Sequence, residues 1–320
     1  MARFIARRVI GMVAVLFAIS VIVFLIFNVI PNSDPAARIA GKNANPELIA
    51  RVSEDLGLDE PLPVQYLTLM KQIFTGELTS YASAQNVVDQ IAEGLPATLS
   101  LFIGAAVLWM SLAILFGYLS AVHAGKFTDR ILTILSLVGI SMPVFWLGAI
   151  LLYYLSYKAQ IFPTGSYVPL TENPVQWAYH LILPWCTLAV LFIGFYSRVL
   201  RSNMLDTMNE DYVRTARAKG ISERQVRIRH VLRNSMIPII TLFGLDFGAV
   251  VGGGAILTET VYNINGVGLY AGDAIGSLDL PPLMAVTMFG AFFIVLFNTI
   301  VDILYAVLDP RIRLGEATPA

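Results

Sequence analysis

Six long apolar runs decide what this chain can become. They are Val9 to Ile30, Leu95 to Val122, Ile131 to Tyr157, Leu181 to Ser197, Ile237 to Thr258 and Leu283 to Val307. Only Asp246 in the fifth and Asp302 in the sixth carry charge. A helix needs about 20 apolar residues to cross a bilayer's hydrocarbon core. In lipid, only helices and closed barrels satisfy every backbone group, and runs of this length exceed barrel strands. Across 320 residues, 57% are hydrophobic and 13% charged, against about 25% charged in ordinary soluble domains. The sequence therefore predicts an all-α, multi-pass membrane protein with six transmembrane helices.

Direction follows from Lys and Arg, which concentrate in cytoplasmic segments. With the N-terminus inside, 16 of the 21 basic residues fall on the inner side. Only Arg38, Lys42, Arg51, Lys71 and Lys158 fall outside. Both termini are thus expected in the cytoplasm. The first run follows Arg3, Arg7 and Arg8 and exceeds the 7–15 residues of a signal h-region, so it predicts a retained anchor.

Cys186 is the only cysteine, which excludes an intrachain disulfide and a multi-thiolate metal site. His123, His180 and His230 show no ligand spacing. A nucleotide-binding P-loop needs Gly, four residues, then Gly-Lys-Ser/Thr. Gly-Lys occurs at Gly41-Lys42 and Gly125-Lys126, followed by Asn43 and Phe127, with Ala36 and Ser120 where the first Gly belongs. The chain offers no ATP site and no cofactor site. It also lacks paired intramembrane carboxylates and His-Glu-x-x-His, so it is not expected to be an enzyme. The glycine-rich stretch Gly248 to Gly254 lies in an apolar run and predicts close helix packing. Pro143, Pro184 and Pro238 are candidate kinks or helix starts.

Two segments between the runs carry most of the remaining information. From Pro31 to Gly94 the sequence predicts an acidic outer subdomain. Its short helices are expected at Glu47–Leu56, stopped by Gly57, at Val64–Phe74, stopped by Gly76, and at Ala84–Glu93. Such a subdomain is either a solvated cap or a dock for a soluble partner. From Arg198 to Met236 the chain predicts a helix-glycine-helix elbow on the inner face. Asn209 is expected to cap a helix running Glu210, Asp211, Tyr212, Val213, Arg214, Thr215, Ala216, Arg217, Ala218, Lys219. Its acids sit in the first turn and its bases in the last, as the helix dipole favours. Gly220 takes the left-handed position beyond the end, and Ser222 with Gln225 is expected to form a capping box. Tyr212, Val213 and Ala216 share a face, and small neighbours (Thr215, Ala218) would let another surface approach. The plainer alternative is an interfacial helix lying on acidic lipid headgroups.

The run Asn209 to Gly220, with Arg229-His230 and Arg233-Asn234 up to Pro238, resembles the coupling loop of ATP-binding-cassette (ABC) importer permeases. It is most similar to the dipeptide, oligopeptide and nickel permeases. The general signature is Glu-Ala-Ala, three residues, Gly; here Arg214, Thr215 and Ala216 stand in the first three places, as the peptide-type branch is similar in allowing. Leu56 to Tyr66, Leu95 to Leu99, Pro143 to Gly148, Glu259 to Tyr262 and Leu308 to Arg311 resemble further family motifs, in order.

The resemblance implies the fold of a type I ABC importer permease. Its parts would be tail and first span (1–30), outer helical loop (31–94), spans two to four (95–197), coupling segment (198–236), spans five and six (237–309) and tail (310–320). It implies a second homologous permease, two ATP-binding-cassette ATPases gripping the elbows, and an extracytoplasmic substrate-binding protein, with no nucleic acid. The setting would be a bacterial or archaeal plasma (inner) membrane, and the cargo short peptides, or else nickel chelates or glutathione-like compounds. A function of another class, a membrane anchor or sensor without transport, would leave the elbow to lipid or a signalling partner. The coupling residues expected are Glu210, Asp211, Tyr212, Arg214, Thr215, Ala216, Arg217, Ala218, Lys219 and Gly220. Asp246, a mid-span carboxylate, is either a pathway residue or a hydrogen-bonded helix contact. Asp302 is expected to be structural.

Overall fold

The computed structural model describes residues 2–29, 36, 46–55, 57, 59–277 and 279–308. The expected cap Asn45, the tail from Asp309 onward and the side chain of Asp302 lie outside the described residues. Packing divides the chain into two compact units. The first comprises residues 1–98, 247–256 and 265–320, the second 99–246 and 257–264.

In chain order the helices are α1 (Ala2–Val29), α2 (Pro46–Asp55), α3 (Leu62–Thr75), α4 (Val87–Val122), α5 (Phe127–Ser141) and α6 (Val144–Leu151), which widens into π turns at Leu152–Lys158. Next come α7 (Pro174–Met208), α8 (Asp211–Ala218), α9 (Glu223–Gln225), π turns at Val226–Leu232, α10 (Arg233–Ala249) and π turns at Val250–Gly254. The last are α11 (Ile256–Tyr262), α12 (Val267–Ser277) and α13 (Leu280–Leu308). Among the described residues five helical stretches are long and apolar enough to cross a membrane, and α5 with α6 makes a sixth if that bent pair is one span. Among the described residues the one β feature is an isolated bridge between Thr79 and Asn86. Large apolar side chains such as Ile10, Phe17, Ile103 and Val107 face outward, as lipid-facing helices require.

Two expectations need correction. The third apolar run is two helices bent by 99°. A proline ring disfavours helical geometry in the residue before it; Met142 is accordingly extended (φ −83°, ψ 124°), and Pro143 opens α6. Pro184, by contrast, lies within continuous α7, and Pro238 within continuous α10. The outer helix expected at Ala84–Glu93 is not separate: it is the start of α4, whose 36 residues reach about 54 Å, well beyond a hydrocarbon core. After Tyr262, in a stretch to which the sequence assigned no element, lies α12.

In the first unit α1 packs along α13, with Val23, Phe24 and Met284 at the seam and Tyr66 of α3 against them. The glycines of the fifth run do pack closely. An added Cβ at Gly252 would stand 2.8 Å from the Gly290 carbonyl, and one at Gly248 2.8 Å from the Cα of Ile294. The Thr98 hydroxyl accepts the Val267 N–H at 2.9 Å, capping α12. Asp279 accepts from the Ser80 hydroxyl (2.5 Å) and from the N–H groups of Tyr81 (3.1 Å) and Ala82 (3.2 Å), tying the turn after α3 to the start of α13. Gly57 (φ +64°) and Gly76 (φ +74°) take the left-handed geometry expected of helix stops.

The second unit is built on α5 against α7. Gly194 and Gly139 let the two backbones approach: a Cβ at Gly194 would lie 2.5 Å from the Ser136 carbonyl. Trp109, fully buried, stacks on Phe192 with centroids 4.4 Å apart and meets Phe102 edge-on. Tyr262, the last residue of the Glu259–Tyr262 motif, is buried. Its hydroxyl donates to the Gly148 carbonyl at 3.3 Å and lies 2.8 Å from Thr187 Oγ1, joining α6 to α7.

Candidate functional site

The elbow lies within the second unit. Helix α7 ends at Met208, and Asn209 closes it: its side-chain amide donates back to the Leu205 carbonyl at 3.0 Å. Asn209 therefore does not open α8, as the sequence suggested. Glu210 holds the N-cap position in extended geometry (φ −65°, ψ 146°) without a side-chain capping bond, and Asp211 begins the helix. Thr215 Oγ1 donates to the Asp211 carbonyl (2.9 Å), and Arg214 reaches the Asp211 carboxylate at 3.4 Å in an exposed pair.

The end of α8 is set by Gly220 (φ +78°). The Gly220 N–H donates to the Arg217 carbonyl (2.9 Å) and the Ile221 N–H to the Ala216 carbonyl (3.4 Å). This is the six-to-one and five-to-two pattern of a Schellman stop. Ile221 then packs on the buried cluster beneath, the hydrophobic contact that usually accompanies such a stop. No atom lies within 4 Å of a Cβ placed at Gly220, so backbone geometry alone calls for glycine there.

The expected capping box is absent: Ser222 occupies the N-cap of α9 but makes no side-chain cap bond. Two guanidinium groups hold Glu223 instead. Arg217 Nε donates to Glu223 Oε1 at 2.9 Å, and Arg227 Nε lies 3.6 Å from Oε2. Arg217 thus ties the last turn of α8 to the first turn after the bend. Across the elbow, the Asn234 amide donates to Tyr212 Oη at 2.7 Å.

Burial divides the expected coupling residues into two sets. Val213 is fully buried and Ala216 is 5% exposed; both belong to one cluster with Tyr196, Leu200, Met204, Val226, Val231 and Ile239. Glu210, Asp211, Tyr212, Arg214, Thr215, Arg217, Ala218, Lys219 and Gly220 face outward. The sequence reading put Tyr212, Val213 and Ala216 on one contact face. In the fold Val213 and Ala216 are the feet of the helix, and Thr215 and Ala218 are the small residues open to an approaching surface.

Asp246 is not part of the elbow. It lies on α10, half-buried, and accepts a hydrogen bond from Tyr196 Oη at 2.6 Å. Tyr196 in turn belongs to the cluster beneath α8.

One polar constellation escaped the sequence reading. Asp129, buried at the start of α5, accepts from Arg201 Nε (2.7 Å), Arg201 Nη2 (2.8 Å), the Gly125 N–H (2.8 Å) and the Ser120 hydroxyl. Paired hydrogen bonds of this kind fix orientation as well as distance. They lock the α4–α5 turn to α7, seven residues before that helix ends at Met208. Among the described residues no group of three or more His, Cys, Asp or Glu side chains could hold a metal ion.

Residues 113–314 match the family described as binding-protein-dependent transport system inner membrane component, and residues 1–102 match its N-terminal companion family. A probable peptide ABC transporter permease, y4tP of Sinorhizobium fredii, is 37% identical over 314 residues, covering 98% of this chain and all of that protein. A putative peptide transport system permease protein of Brucella abortus is 36% identical, covering 98% of this chain and 99% of its own. The glutathione transport system permease protein GsiC of Salmonella choleraesuis is likewise 36% identical over the same shares. With both family regions matched in order around an all-helical, lipid-facing fold, the chain belongs to the inner-membrane permeases of binding-protein-dependent ABC importers.

Proposed function

We propose that this chain forms half of the translocation pathway of an ATP-driven importer of short peptides, and that α8 is where an ATPase subunit grips it. The observation that carries this reading is the split of α8 into buried feet, Val213 and Ala216, and an exposed upper surface with little bulk at Thr215 and Ala218. A helix so anchored passes a push into the cluster below rather than rolling under it. The Schellman stop and the Arg217–Glu223 pair brace its far end.

The membrane chain would cross six times, counting α5 and α6 as one bent span, with both termini and the elbow in the cytoplasm. The segment containing α2 and α3 would face the other side and meet a substrate-binding protein. Basic residues clustered on the elbow support this orientation. A second homologous permease and two ATPases would complete the assembly. ATP-driven closure of the ATPases would press on α8 and shift α7 and α10 between outward- and inward-facing arrangements. Asp246, with Tyr196 on one carboxylate oxygen, would line the pathway and meet a cationic group of cargo or sister permease.

The relatives named for peptide transport support peptide cargo. The glutathione permease, similar over the same share of the chain, supports a second reading in which the cargo is a glutathione-like γ-peptide. Affinity purification from membranes, paired with uptake of a labelled peptide set, tests the proposal. Recovery of a sister permease with ATPase subunits, and ATP-dependent peptide uptake lost when the gene is deleted, is the expected result. Recovery of the chain without ATPases, or uptake unchanged by its deletion, would refute it; uptake of glutathione in preference to peptides would select the second cargo. Uptake that survives Asp246→Asn untouched would remove Asp246 from the pathway.

A further inference from the structure

We infer that the groove between α5 and α7 is a binding site for one anionic phospholipid of the leaflet on the elbow's side. The close crossing of these helices at Gly139 and Gly194 leaves a groove of about 480 Å³ beside it. Its floor is Thr133, Ile140, Phe195 and Val199; Arg198, Arg201 and Ser202 line it at the α7 end nearest the elbow. From Thr133 to Ile140, and from Phe195 to Ser202, each helix advances about 10 Å. That matches the distance from a phosphate at the headgroup level to the upper methylenes of its acyl chains.

The charges fit this ligand. Arg198 is exposed at the edge of the fourth apolar run and makes no hydrogen bond or ion pair among the described residues. Arg201 spends Nε and Nη2 on Asp129, so Nη1 remains for another acceptor. The Asp129 carboxylate is occupied by Arg201, Ser120 and the Gly125 N–H, which limits its repulsion of an incoming anion. Two guanidinium groups facing one carboxylate leave a net positive site. Guanidinium forks match phosphate oxygens, and basic pockets between membrane helices are suited to acidic headgroups. Arginines alone would also suit free phosphate, but the apolar floor at Ile140, Phe195 and Val199 would then lie bare. An acyl chain covers it. The neighbouring outward residues Ile134, Leu137 and Val138 continue the same apolar surface. This site stands whether or not the transport reading does, because it requires only that α5 and α7 be embedded.

Native mass spectrometry of the full-length chain, purified with its co-purifying subunits and offered dioleoylphosphatidylglycerol or dioleoylphosphatidylcholine, tests it. One phosphatidylglycerol per chain should be retained in preference to phosphatidylcholine. Arg198→Gln should lower retention on the order of tenfold, and Phe195→Ser should lower it with Arg198 intact. Arg224→Gln, an exposed basic change on the elbow, should leave it unaltered. Equal retention of both lipids, unchanged retention in Arg198→Gln, or displacement of the lipid by excess inorganic phosphate would overturn the proposal. So would cross-linking of Ile140→Cys to a second protein chain in native membranes, which would assign the groove to a protein partner.

Discussion

The elbow and the turn after α3 solve the same problem by opposite means. Each is a short excursion between helices that is pinned to the helices around it. The elbow is held by apolar feet, Val213 and Ala216, sunk into a cluster of the second unit. The turn at Ser80–Ala82, in the first unit, lies between the buried Leu78 and Val87 and is latched at its tip by one carboxylate, Asp279, that accepts three hydrogen bonds. Apolar feet spread their contribution over many contacts, and each loss is partial. A carboxylate latch concentrates it in one group, and removing that group strands its donors. If α8 is the ATPase grip proposed above, graded apolar contacts suit a segment that is pushed repeatedly, whereas a latch suits one that holds a fixed register.

Ways of breaking that contrast run from large to small. The polar lock at Asp129 should be the most fragile point: Asp129→Ala leaves the Arg201 guanidinium without its partner and should cost roughly 3–5 kcal/mol, seen as a large fall in thermal stability in detergent. Asp279→Ala strands one hydroxyl and two N–H groups. It should cost about 3 kcal/mol, with faster amide exchange confined to residues 78–87 as the diagnostic. Ala216→Leu overpacks a site only 5% exposed and should cost about 1–3 kcal/mol, lowering thermal stability and coupling together. Gly220→Ala should cost about 1 kcal/mol, because φ is +78° there while the space is open. Gly220→Asn should recover part of that, since Asn tolerates left-handed geometry. Were Asp279→Ala milder than Ala216→Leu in the same stability assay, the distinction between latch and feet would be wrong.

Much of this was legible before folding, for physical reasons that also mark the limit. Apolar length alone located the long helices, and glycine after a basic or polar turn located the left-handed stops at Gly57, Gly76 and Gly220. Local chemistry with two competing uses was misread. Asn209 has the side chain of an N-cap, yet it closes α7, because the α8 cap falls one residue later. Ser222 and Gln225 have capping-box spacing, but the neighbouring Glu223 is already held by two arginines. The break at Met142-Pro143 carried a sequence signal; its 99° angle depends on what α5 and α6 each pack against. Contacts across long separations were invisible: Asp129 meets Arg201 72 residues away, and Asp246 meets Tyr196 50 residues away. The inward turn of Ala216 was hidden for a related reason, since a small residue suits an open docking surface and a tight buried foot equally well.

If α8 is the ATPase grip, its outward surface makes that contact and its feet do not. Ala218→Trp is the most direct probe, because the residue is exposed and the change should alter stability by no more than about 0.5 kcal/mol. In reconstituted membranes this variant should fold and bind lipid normally, yet lose both ATPase co-purification and ATP-driven uptake. Full uptake, with ATPase subunits retained at the normal level, would contradict it.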